Sequence, residues 1–255
     1  MALADIGEAL AYEAAFSMQA FENPEFPVDE LGELSIEVST KLRALAIIQL
    51  LVNEDSDGFH HNLIRSGMVR LAFLRRLQQA GIEANHHGVS GRYEPVLDLI
   101  VAGQFDSADQ IGRLSPLEWR QGHEYEDDYC YAQILFLLIA EPLSFGNVEA
   151  LASRFGNALD GKPDARIDVC LSLARGSPSD FEEAFEKLLK QRTVAIEADK
   201  ARAETVTPEV TALRAVYIEG LAMLQLATRR GIKTEREYLY CPSLARVPMR
   251  VPFTE

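Results

Sequence analysis

The residues best suited by type to do chemistry lie in "GHEYEDDYCYAQILFLLIAEP", from Gly122 to Pro142. His123, Glu124, Glu126, Asp127, Asp128 and Cys130 are crowded together, and the chain then turns almost wholly apolar. On a helix, His123 and Asp127 would be i, i+4 neighbours, as would Glu124 and Asp128. That spacing could hold a metal between imidazole and carboxylates, or set an acid–base pair at the mouth of a core. The same string also reads as an ordinary helix start, because free N–H groups and the dipole stabilise first-turn acids by about 0.3–1 kcal/mol each. Beyond it, Tyr129, Ala132, Phe136 and Ile139 continue one apolar face. Ile134, Leu135, Leu137 and Leu138 fill most of the remainder, the pattern of a central helix. The expectation is a buried helix with an acidic, solvent-facing start.

Other reactive groups form no constellation. Glu83 and His86 make one Glu-x-x-His, but a helical di-iron site needs a second copy and two further carboxylates. His60 and His61 point to different helix faces, so at most one faces the core, and no His-Glu-x-x-His occurs. Cys130, Cys170 and Cys241 lie far apart with no Cys-x-x-Cys, which fits reduced thiols rather than a zinc knuckle. Neither a Gly-x-Ser-x-Gly elbow nor a Gly-rich phosphate loop is present. No catalytic residue, metal or cofactor is expected. Arg92, ahead of "YEPVLDL", is a candidate internal partner for the acids at 124–128.

The elements that must carry these residues are helical. A first helix over roughly 2–20 ends before Asn23-Pro24 and Pro27. "IEVSTKLRALAIIQLLVNED" and "SDGFHHNLIRSGMVRLAFLRRLQQAG" carry apolar residues at helical spacing, the second stopping at Gly81. Residues 82–92 read as a loop. Then a grammar recurs in which a helix ends at Gly, a few polar residues follow and a second helix begins. "EPVLDLIVAG" with "QFDSADQIGRL" is one case, and "DARIDVCLSLARG" with "SPSDFEEAFEKLLKQRTVAIEADKAR" is another, with Ser179 or Asp180 as candidate cap. A further helix is expected from Pro208 to Gly231, and the Pro-rich tail at 232–255 should run extended across the helices. The fold class is all-α: a single domain over 1–255 of about ten helices in antiparallel hairpins, with 2–30 a peripheral N-terminal helix.

Bulk properties limit the partners. The chain has 255 residues, 47% hydrophobic and 25% charged, enough for a core without staples. A formal charge of −14 opposes direct binding to nucleic acid and to anionic membranes, and would steer a basic protein inward. The N-terminus lacks the basic region of a secretory signal, and the longest apolar run is about half what a membrane span needs. A cytoplasmic protein is expected.

Several strings together resemble the immunity protein 49 family of bacterial polymorphic toxin systems. They are "NLIRSGMVRLAFLRRLQQAG", "EYEDDYCYAQILFLLI", "ARIDVCLSLARGSPSDFEEAFEKLL" and "EREYLYCPSLARVPM", the last being the most specific. The resemblance implies an all-α protein that protects its producer from a cognate toxin in interbacterial competition, by occlusion and without catalytic residues.

Three acidic runs could meet such a partner: "NEDSD" at 53–57, "EYEDD" at 124–128 and "SDFEE" at 179–183. Aromatics among acids suit an interface better than acids alone. The expected surface is therefore Trp119, Glu124, Tyr125, Glu126, Asp127 and Asp128, with Glu54, Asp55 and Asp57 second, and Tyr129 is read as a further exposed aromatic. Two alternatives remain. One is a metal-dependent hydrolase that reverses toxin damage, for which the usual Ser/Thr-Asp-Asp-Thr signature is absent. The other is a helical scaffold for another host protein.

Overall fold

The run "LRALAIIQLL" places apolar residues on nearly every face of one helix, so that helix must be wrapped on several sides. In the computed structural model, which describes residues 3–202 and 207–254, it is the middle of α2 (Val28–Asn53). There Leu42, Ala44, Leu45, Ala46, Ile47, Ile48 and Leu50 are all buried. α2 forms a long hairpin with α3 (Ser56–Ala80) and is covered by α1 (Leu3–Glu22) and α10 (Pro208–Ala215). α4 (Glu94–Val101) and α5 (Phe105–Leu114) pack on α3, and α11 (Ile218–Arg229) packs on α4. α6 (Glu126–Ile139), α7 (Phe145–Ala158), α8 (Ala165–Arg175) and α9 (Pro178–Arg202) then stack in sequence, each on the next. Most buried residues from Ile6 to Ala245 join in one apolar cluster, and Ala14, Val38, Leu42 and Val69 form a smaller one between α1, α2 and α3. The described residues contain eleven α-helices and no strand, so the all-α expectation holds. The first helix was placed to begin at Ala2, which lies outside the described residues.

The Gly-terminated hairpin grammar is a real signal. At the end of α3, Gly81 takes φ 64°, its N–H reaches the Gln78 carbonyl, and the Ile82 N–H reaches Leu77 O at 3.0 Å. Gly176 closes α8 in the same way at φ 69°, with Ser177 bonded back to Ser172. A residue with a Cβ would adopt this left-handed turn only at a cost.

Several expected boundaries shift: the peripheral helix expected over 2–30 ends at Glu22, and Val28 already opens α2. The helix placed over 208–231 is broken at Val216–Tyr217 into α10 and α11, because the Tyr217 N–H is donated outward to Tyr240 O at 2.8 Å. Glu209–Arg229 is apolar enough by composition to cross a membrane, yet 61% of its most apolar window is buried inside the protein. α9 begins at Pro178, so Ser179 and Asp180 lie inside its first turn rather than capping it; the Phe181 N–H bonds Ser177 O.

The tail crosses α3, and part of the stretch expected to be extended, Ser243–Arg246, is a 3-10 helix. The His60 ring bonds Val247 O at 3.0 Å, the His61 ring bonds Val251 O at 2.9 Å, and Asp57 accepts the Arg250 N–H at 2.8 Å. Of the two histidines only His60 is buried.

Candidate functional site

The cleft at the start of α6 is built by two loops that brace one another. Arg70 of α3 reaches into the 81–93 loop and donates to His87 O and, at 2.8 Å, to Val89 O. From the facing 115–125 loop, Pro116 O accepts Ser90 Oγ at 2.7 Å, and Gln133 of α6 donates to both Ser90 Oγ and Pro116 O. Tyr129 OH donates to Leu117 O at 2.6 Å. Tyr129 is 5% exposed, so its expected place on the surface is corrected: its hydroxyl ties down a loop.

Glu124 joins the two loops. Its carboxylate accepts the Gly91 N–H at 2.6 Å and the Arg120 N–H at 3.3 Å, while its own carbonyl accepts Trp119 Nε1–H at 3.3 Å. The approach is close enough that a Cβ on Gly91 would stand 2.9 Å from Glu124 Oε2. Arg120 is further held by an ion pair to Glu83. Burial pushes the Glu124 carboxyl above its usual range, against the two N–H bonds that favour the carboxylate.

The helix begins only at Glu126, with Tyr125 as the preceding residue. His123 and Glu124 are therefore not on it, and the i, i+4 pairs with Asp127 and Asp128 do not form. Among the described residues no group of three or more His, Cys, Asp or Glu is arranged to hold a metal ion. Within α6 the central-helix expectation holds: Cys130, Tyr131, Ala132, Ile134, Leu135 and Leu138 are fully buried.

Around this frame lies a cleft of about 530 Å³, lined among others by Arg92, Trp119, His123, Tyr125, Glu126 and Asp128. Tyr125 is 78% exposed. Glu126 is held by Arg154 of α7, Nε to Oε1 at 2.6 Å, and that guanidinium lies over the rings of Trp119 and Tyr129 at 5.9 and 5.2 Å. Asp127 and Asp128 receive no hydrogen bond or ion pair from the described residues. Asp128 is raised to about 6 by burial first, then by Asp127 and Glu94, against Arg166 and Arg92. Burial and the neighbouring acids therefore outweigh whatever its first-turn position contributes to stabilising its charge. Arg92 lines the cleft but bonds the His86 carbonyl at 3.3 Å, so the expected ion pair with this acidic run is not made.

The second expected patch is spent differently. Asp55 accepts the Gly58 N–H at 2.9 Å and caps α3, and Asp57 holds the tail. Glu54 is exposed, with φ 51°, at the end of α2. In the third run, Glu182 accepts Tyr238 OH at 2.8 Å and Glu183 pairs with Lys187. The thiols are buried: burial pushes Cys130 up to about 11 and Cys241 up to about 12, which leaves both protonated and poorly nucleophilic near neutral pH.

Sequence reasoning missed Gly91 and Val89, which complete the cleft from an element distant in sequence, and Arg154, which holds its lining Glu126. No local spacing marks Arg154. The string "GVSGR" offered a small-residue turn but nothing to say what would approach it.

The chain matches the family described as Immunity protein 49 over residues 61–245. That span contains the whole Trp119–Asp128 cleft and begins after the Glu54–Asp57 corner. No curated protein and no solved structure matches the chain. The match covers most of the sequence, and the chain belongs to the immunity protein 49 family.

Proposed function

We propose that this chain neutralises a cognate bacterial toxin by binding it one-to-one, without turnover, on the face around the Trp119–Asp128 cleft. Membership of an immunity protein family supports the immunity role. The single observation that carries the choice of surface is Tyr125. It is a largely exposed aromatic at the rim of a cleft lined by Asp128, and neither Asp128 nor the adjacent Asp127 takes a hydrogen bond or ion pair from the described residues. Aromatic anchors supply binding energy at interface centres, and surrounding acids speed and orient the approach of a basic partner. The overall charge of −14 acts in the same direction. Glu124, Glu126 and Trp119 act as the rigid floor of this surface, because internal bonds already hold them. The protein would act in the cytoplasm of the producing cell.

The test is capture of the neighbouring gene's product by the tagged full-length protein, followed by titration calorimetry with wild type and with Asp127→Lys/Asp128→Lys. One partner held one-to-one, and weakened by the charge reversal, is the expected result. Unchanged affinity in the reversed variant would remove this surface from the interface. Protection of cells with no stable partner would replace inhibition by repair of toxin damage.

A further inference from the structure

We propose that a second pocket, formed by α2, α3 and the start of α4 and sharing Arg92 with the cleft, binds a compact tetrahedral oxyanion of the size of inorganic phosphate. Arg43, Arg70 and Arg92 all line it, with Ser39, Thr40 and Glu94. Three guanidiniums around one small cavity are unusual in a chain carrying fourteen excess acids.

Arg70 is the centre of the argument. It is 2% exposed, and among the described residues its hydrogen bonds go only to the neutral carbonyls of His87 and Val89. Its Nε is buried without a hydrogen-bond partner. Burial lowers its pKa to about 10, so the group is still protonated at neutral pH. A buried charge without a counter-ion is expensive and is relieved when an anion arrives. The other cations differ in how far they are already satisfied. Arg43 is held by Asp98 through Nε and Nη2 at 2.7 and 2.8 Å, and uses no other nitrogen in a hydrogen bond. Arg92 is exposed and spends only Nε, on His86 O. With Asp98 and Glu94 set against the three cations, one positive charge remains.

Size and charge together point to the class of ligand. The cavity is about 70 Å³, room for a compact group such as one tetrahedral oxyanion. The hydroxyls of Ser39 and Thr40 already donate to Ser66 O and Ile36 O, which leaves the guanidiniums as the donors. Guanidiniums match tetrahedral oxyanions well. Arg70 and Arg92 both hold the 81–93 loop, whose Gly91 N–H binds Glu124. The occupied pocket would therefore stiffen one wall of the toxin-facing cleft.

Titration of the full-length protein with inorganic phosphate, followed by calorimetry and phosphorus NMR, tests this. Saturable one-to-one binding is expected. Arg92→Gln should weaken it by about tenfold, and Glu94→Gln, which removes the one carboxylate at the mouth, should tighten it several-fold. Both sites are exposed, so neither variant threatens the fold, whereas loss of Arg70 would. Absence of saturable binding, or equal affinity in wild type and both variants, would overturn the proposal. Acetate binding as tightly as phosphate would overturn the tetrahedral assignment.

Discussion

The acids at 54–57 and those at 124–128 look alike as strings, and both sit where a long helix begins, yet the molecule uses them in opposite ways. At the α2–α3 corner two of the three carboxylates are consumed by the fold, and the third, Glu54, stands exposed. Asp55 caps a helix and Asp57 grips the tail, and the Arg250 N–H holds the Asp57 carboxyl below its usual range. At the start of α6 only Glu124 and Glu126 are consumed, while Asp128 is pushed up to about 6 with nothing bound to it. A run of acids therefore says little by itself. The informative quantity is how many of them the rest of the chain neutralises. An acid kept charged against its own burial is a candidate for a partner outside the molecule.

The strongest way to break this comparison is to remove the one large side chain that the second region leaves in water. Tyr125→Ala should weaken toxin binding by at least about thirtyfold, roughly 2 kcal/mol, with an unchanged melting temperature. Glu54→Lys, at the consumed corner, should change neither. Equal losses from the two variants would mean that charge at long range, and no particular contact, governs the complex. Glu124→Ala comes next. It strips two backbone N–H groups of their acceptor and should cost about 2 kcal/mol of folding stability, read from urea midpoints at constant slope. An unchanged midpoint would show that the two loops stand without this brace.

How far the sequence foresaw this depends on the range of the cause. Local causes were legible: Gly81 and Gly176 end helices through their own left-handed turns, and the apolar wrap of α6 announced a central helix. Distant causes were not. The break between α10 and α11 is made by Tyr240, which accepts the Tyr217 N–H from another part of the chain. Glu124 looks like a first-turn helical acid until Gly91, thirty-three residues earlier, claims its carboxylate. Trp119 to Asp128 could be named as a region from composition, but the cleft could not. Its other wall is the 81–93 loop, and Arg154 on α7 holds the lining Glu126 from behind; no spacing connects either to it.

The consumed corner yields a smaller effect of a different kind. Asp55→Ala removes the cap of α3 and should cost about 1 kcal/mol of stability, with toxin affinity unchanged. A loss of affinity at constant stability would move the interface to this corner.

The finest test uses pH, because the two regions carry opposite linkage. Asp57 is held below its usual range, so its contribution to stability is present above the unfolded pKa and fades as pH falls. Asp128 is held above its ordinary value, near 6, so the folded protein binds that proton more tightly than the unfolded chain does. The cost therefore builds as pH rises from about 4 to about 6, is complete above about 6, and disappears below about pH 4, where both states are protonated. Asp128→Asn should accordingly melt slightly higher than wild type at pH 7.5, with the difference closing by pH 4. Asp57→Asn should melt lower at pH 7.5, by an amount that also shrinks on acidification. If a basic toxin is what Asp128 awaits, binding will draw its pKa down and release a proton near pH 6. Affinity should then fall between pH 7.5 and pH 5 in wild type and stay flat in Asp128→Asn. A flat wild-type profile, with the stability difference still present, would make Asp128 a strained acid of the fold and leave Tyr125 to carry recognition without it.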